Sequence, residues 1–178
     1  MQRREEEHDA EASAWARATH RVVLATNSPF VQTFFQDLAR DQMGSWAIHI
    51  VTVDVSGVEV DSPCLSDAAV AVVHTDPDVP AAQAVCTALG AGWPALPIIA
   101  LVSSVRAVTP WYVEALLRGE LAGLLDLEAT AAEVVAGLEA VTRGRVAVSV
   151  ARDPVHTAAL GAALLAREST SEMSRSLI

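Results

Sequence analysis

"LAGLLDLEATAAEVVAGLEAVTRG", residues 121–144, contains one complete structural unit. "LAGLLDL" is a near-unbroken apolar run, the pattern of a strand covered on both faces of a sheet. Thr130 stands at the N-cap position of a helix whose Val134, Leu138 and Val141 recur on one face, and Gly144 is its stop. A strand followed by a capped helix is half of a crossover unit, so a parallel sheet is the expected setting.

Moving outward, the same alternation repeats. "RVVLAT" (21–26) is a first strand, and Ser28 followed by Pro29 opens a helix in which Phe30, Val31, Phe34, Phe35 and Leu38 make one buried face as far as Arg40. "AIHIVTVDV" (47–55) is a second strand, and "SGVEVDSPCLSD" after it holds at most a short helix. "AAVAVVH" (68–74) is a third strand and "TDPDVP" a turn, while "AAQAVCTALGAG" is a helix that Gly90 and Gly92 would end. "LPIIALVSS" (96–104) is the fourth strand, and a helix from Pro110 to Arg118 leads into the fifth. Five strands alternating with helices predict a doubly wound five-stranded parallel sheet, with an extra C-terminal helix from Pro154 to about Arg167. The expected organisation is an acidic, flexible leader over 1–20, one domain over 21–149, and a helix and tail over 150–178.

Composition narrows the function. The chain has 178 residues, 52% of them hydrophobic, enough for one domain with a sizeable core. A net charge of −10 lacks the basic footprint that attracts a phosphate backbone, so these residues by themselves are not expected to hold DNA. Cys64 and Cys86 form no pairing or zinc motif. With neither a membrane-length apolar run nor a secretory leader, the expected location is the cytoplasm. All 12 basic residues are arginine, and lysine is absent from the chain.

In sheets of this kind the site lies beyond the carboxyl ends of the strands, which brings Thr26, Asn27, His74, Val102, Ser103 and Asp126 near one another. Two motifs elsewhere stand out. Trp111 and Tyr112 open the helix before the fifth strand, as interface anchors or as ordinary packing, and Trp93 lies just before Pro94.

"VEALLRGELAGLLDLEATAAEVVAGLEAVTRGRVAVS" (113–149), together with "RVVLATNSPFV" and "LPIIALVSS", resembles the receiver domain of response regulators, in the branch attached to NarL/FixJ-type (LuxR-type) regulators. The likeness covers roughly residues 20–149 and implies the flavodoxin-like, CheY-like receiver fold. It also implies where phosphotransfer residues would stand, and there the chain departs from the pattern. The acidic pair that holds Mg²⁺ falls on Thr26 and Asn27, and the phospho-accepting Asp falls on His74. The reporting Thr or Ser falls on Val102, with Ser103 beside it, and the lysine falls on Leu127 or, allowing one inserted residue, on Asp126. A rival register would make Asp76 the acceptor, but Asp76 lies past the end of the apolar strand.

The chemistry follows without the family. Mg²⁺ takes several oxygen ligands, usually carboxylates, and a phosphoryl group wants a cation beside it. Thr26, Asn27 and His74 supply no carboxylate, and Leu127 or Asp126 supplies no positive charge. His74 then reads either as a packed, hydrogen-bonded neutral imidazole or as a ligand contact. The expected function is a phosphorylation-independent pseudo-receiver, a signalling and dimerisation domain of an atypical regulator of transcription, worked by a small-molecule effector or a protein partner. It is expected to be a homodimer with no metal, cofactor or membrane contact, and to reach DNA only through a helix-turn-helix that these residues do not contain. A stand-alone interaction adaptor without DNA binding is the alternative. An enzyme is not expected, because no nucleophile with a base, phosphate loop or ligand cluster is visible.

Overall fold

The computed structural model describes residues 20–42, 46–51, 65–74, 79–102 and 109–148. Within them the elements run β1 (His20–Thr26), α1 (Pro29–Gln42), β2 (Trp46–Val51), β3 (Val70–His74), α2 (Val79–Gly92), β4 (Ile98–Val102), α3 (Pro110–Arg118), β5 (Gly123–Asp126), α4 (Ala131–Thr142) and β6 (Ala147–Val148). All strand pairs are parallel, in the order β2-β1-β3-β4-β5-β6. The sheet therefore has six strands where the sequence predicts five. The sixth is two residues long, Ala147 and Val148 paired with Gly123 and Leu124, too short to mark itself as an apolar run.

Period-two alternation divides the core into two layers. Val22, Leu24, Val70, Val72, Ile99, Leu101 and Leu125 face α1 and α4, where Val31, Phe35, Leu138 and Val141 meet them. Val23, Ala25, Ala71, Val73, Ala100 and Leu124 face α2 and α3 and meet Val85, Leu89, Ala115 and Leu116. β3 and β4 are buried at every position, which is why their sequences are continuous apolar runs. Removing side chains of this size from water contributes about 1.5–3 kcal/mol each.

Local chemistry sets the helix ends. Ser28 Oγ accepts the Val31 N–H at 3.4 Å with Pro29 in the first turn, and Thr130 completes a reciprocal capping box with Glu133. Gly144 ends α4 at φ 75°, a conformation that other residues rarely adopt. Gly137 answers a different need: a Cβ there would come within 2.9 Å of Leu125 Cδ2, so its absence lets α4 lie close on β5.

Three further expectations change. Phe30 is 71% exposed, because the stripe that reaches the sheet runs through Val31, Phe35 and Leu38, and Phe30 and Phe34 lie to its flank. Gly90 does not end α2; the helix continues to Gly92 and the Trp93 N–H still reaches the Leu89 carbonyl at 2.8 Å. α2 also begins earlier, at Val79, inside the predicted turn. The predicted leader and the Pro154–Arg167 helix lie outside the described residues.

Candidate functional site

β1 and β3 are register partners through Thr26 and His74 at their carboxyl ends, so the two side chains stand side by side on the layer of Leu24 and Val72. Thr26 is fully buried and His74 is 4% exposed. Thr26 Oγ1 lies 3.1 Å from His74 Nδ1 and accepts the Ser28 N–H at 3.0 Å. A hydroxyl carries one proton. With the Ser28 bond accepted, the hydroxyl can donate its proton to Nδ1 or accept from Nδ1–H with its second lone pair, so the contact forms in either ring tautomer. The bond is also local architecture: the same hydroxyl fixes the turn from β1 into α1.

On the far side of the switch point, Val102 and Asp126 end β4 and β5 as register partners, and the Leu127 N–H donates to the Val102 carbonyl at 2.8 Å. Val102 is packed in the α2/α3 layer. Alternation along β5 puts Asp126 on the side of Leu124, across the sheet from Thr26 and His74. Its carboxylate is 6% exposed, and Oδ1 accepts the Glu128 N–H at 2.8 Å, tightening the turn into α4. Leu127 is half-buried against the α1/α4 layer.

The structure thus brings Thr26 to His74 and Val102 to Asp126 as two adjacent pairs, with Asn27 exposed at the rim. Asp76 and Ser103 lie outside the described residues. The described mouth does not fit Mg²⁺: Thr26 Oγ1 is already shared between Ser28 and His74, and the carboxylate of Asp126 belongs to the other layer. Among the described residues no three His, Cys, Asp or Glu side chains converge. No helix of the described residues is long and apolar enough to cross a membrane.

Tyr112 is buried in the α2/α3 layer and Trp111 half-buried beside it, their rings 4.8 Å apart and edge-on. Trp93 is half-buried against the same layer. The sequence pattern puts Thr26, His74, Val102 and Asp126 at strand ends, as the register shows, but gives no sign of the backbone donors of Ser28 and Glu128 that hold Thr26 and Asp126. The sequence marks Ser28 as a cap, and an N–H two residues past a strand end carries no side-chain signal.

No family model matches the chain, and no curated protein does. Solved structures do. A two-component response regulator of the LuxR family from Aurantimonas sp. SI85-9A1 is 15% identical over 79% of this chain and 96% of its own, with a TM-score of 0.57. The isolated REC domain of RcsB from Salmonella enterica serovar Typhimurium, in the presence of the phosphomimetic BeF3-, is 17% identical over 79% of this chain and 97% of its own, at 0.52. In a structure of two RcsB dimers bound to two parallel DNAs, the identity is 17% and the TM-score 0.55, and this chain covers 67% of that one. At these identities the likeness is one of fold: the chain has the receiver fold.

Proposed function

We propose that the chain is a signalling domain in which the receiver scaffold switches without phosphoryl transfer. The observation that carries this reading is the Thr26–His74 hydrogen bond at the ends of β1 and β3. A phosphoryl site built on this scaffold needs carboxylates and a hard cation there, and instead two side chains that can both be neutral satisfy each other while 96% or more of each is out of water. No lysine exists anywhere in the chain to neutralise a phosphoryl group. On this reading Thr26, Asn27, His74, Val102, Asp126 and Leu127, with Asp76 and Ser103 from outside the described residues, form a degenerate pocket. A small effector or a partner protein shifts the domain between two arrangements by binding one better than the other.

The wider assignment is a homodimeric module of an atypical LuxR-type regulator of transcription, with DNA contact made by another domain. What supports it is the receiver fold together with the similarity in fold to a LuxR-family regulator and to RcsB, which forms dimers on DNA. The domain reading is of residues 21–149 as the signalling unit.

Incubation of the full chain with an acyl phosphate donor and Mg²⁺, followed by intact-mass spectrometry, tests the central point. The expected result is an unchanged mass, and no thermal shift when beryllofluoride and Mg²⁺ are added. A gain of one phosphoryl group that survives mild alkali poorly, as an aspartyl phosphate does, would overturn the reading and direct attention to Asp76.

A further inference from the structure

A cavity of about 660 Å³ lies at the pole of the sheet opposite the mouth, where Pro97, Ile98 and Ala122 lead into β4 and β5. That volume falls among those of small-molecule sites, which run from roughly 300 to 1,000 Å³. Leu96 and Cys86 form its buried floor, and the half-buried Trp111 is one wall. The floor is uncharged: burial, reinforced by the charge of Glu120, pushes the Cys86 thiol up to about 12, so it is neither a nucleophile nor a metal ligand near neutrality. Segments that follow or end α2, α3 and α4 all contribute to the wall.

The rim carries charge of both signs, on Arg118, Glu120 and Arg145. Arg118 is occupied, held by Glu120 at 2.7 Å and by Glu114 at 3.4 Å. Arg145 is not. Arg21, Arg40 and Arg143 each hold a carboxylate within 3.3 Å, whereas Arg145 has no such partner among the described residues. Its backbone is fixed, with its N–H on the Ala140 carbonyl at 2.9 Å. Gly90 also lines the cavity. It lies inside α2, where glycine weakens a helix, and a Cβ on it would meet nothing within 4 Å.

We propose that this cavity binds a small organic acid, its flat apolar body against Trp111 and over Leu96, its carboxylate taken by the guanidinium of Arg145. A planar fork of N–H donors matches a carboxylate bidentately, and an apolar body gains from the water-poor floor. In a chain of net charge −10 an anionic ligand needs such a local cation to be held at all. The site stands apart from the mouth and its assignment does not rest on the fate of phosphorylation there.

Titration of the full chain with 2-naphthoate by calorimetry, with 2-naphthalenemethanol as its uncharged counterpart, tests the site. Expected are saturable one-to-one binding of the acid, binding of the alcohol weaker by about tenfold or more, and a similar loss in Arg145→Ala. Gly90→Trp projects a large side chain into the cavity and should abolish binding, while Arg40→Ala, on the exposed face of α1, should retain it. Where circular dichroism finds Gly90→Trp unfolded, Gly90→Leu replaces it. Absence of binding at millimolar acid, equal binding of acid and alcohol, or binding that survives both Arg145→Ala and the folded Gly90 blocking variant would overturn the proposal.

Discussion

At the mouth of the sheet Thr26, His74 and Asp126 are 0, 4 and 6% exposed, and their polar atoms are engaged with Ser28, with one another and with the turn at Glu128. At the base the arrangement is inverted: the buried floor of Leu96 and Cys86 is uncharged, and charge stands at the rim of an open cavity, on Arg118, Glu120 and Arg145. A ligand entering the mouth must break hydrogen bonds among buried groups, each of which costs about 1–3 kcal/mol to leave unmade. One entering the base displaces water and meets an arginine with no carboxylate partner among the described residues. Polar side chains at the usual end of a sheet therefore do not by themselves make a binding site. What matters is whether their bonding capacity is already used.

The largest effect that can break this comparison lies at the base. Cys86 keeps its proton in the folded state up to about pH 12, against an ordinary value of 9.0 for a thiol. Below pH 9 both states are protonated and the full stability is present; above it the unfolded chain releases the proton and the folded chain does not. Stability should fall by about 1.4 kcal/mol per pH unit from that point, a loss of up to roughly 4 kcal/mol if the folded value is reached. Urea unfolding at pH 8, 9 and 10 would measure it, with Cys86→Ala as reference. A wild-type slope no steeper than that of Cys86→Ala would mean that the floor admits charge, and the contrast between the poles would fail.

At the mouth, His74→Asp introduces an acid at the position that the proposed reading assigns to the phosphoryl acceptor, without the surroundings that such an acid needs. The new carboxylate sits where His74 is 4% exposed, beside the Thr26 hydroxyl and with no lysine in the chain to pair with it. Destabilisation of roughly 3 kcal/mol is expected at pH 7, shrinking as the pH falls and the carboxyl is protonated. Chemical denaturation at pH 7 and pH 4.5 checks both the size and the direction, against wild type at each pH. The variant should still take up no phosphoryl group from an acyl phosphate donor. Uptake would show that the mouth needs only the acid for phosphoryl transfer.

Much of the architecture was legible because burial on both sheet faces leaves a plain trace. The strands from Val22 to Leu125 are apolar runs, and Ser28, Thr130 and Gly144 mark helix ends by chemistry that acts within three or four residues. Features that depend on distant parts of the chain left less. The bond between Thr26 and His74 spans 48 positions and exists only once β1 and β3 are in register. β6 is defined by its neighbour and not by its own two residues. The basal cavity is assembled from the ends of three helices and the approaches to two strands, so no single stretch announces it. Glycine at position 90 looks like a helix end, yet the helix runs on to Gly92, the second stop signal of the pair.

That glycine also supplies the smallest and most discriminating test. Gly90 has no neighbour within 4 Å of a built Cβ, and its backbone is helical, so alanine can replace it without strain or collision. The exchange should stabilise the fold by about 0.5–1 kcal/mol, by restricting the unfolded chain and favouring the helix. A rise in the thermal midpoint of a few degrees would mean that glycine at this position is kept against the interest of stability. A wall needed only for folding has no reason to carry such a residue; a wall that must leave room does. If Gly90→Ala instead lowers the midpoint, the position is tighter than its surroundings indicate, and the cavity loses the feature that most distinguishes it from an ordinary crevice between helix ends.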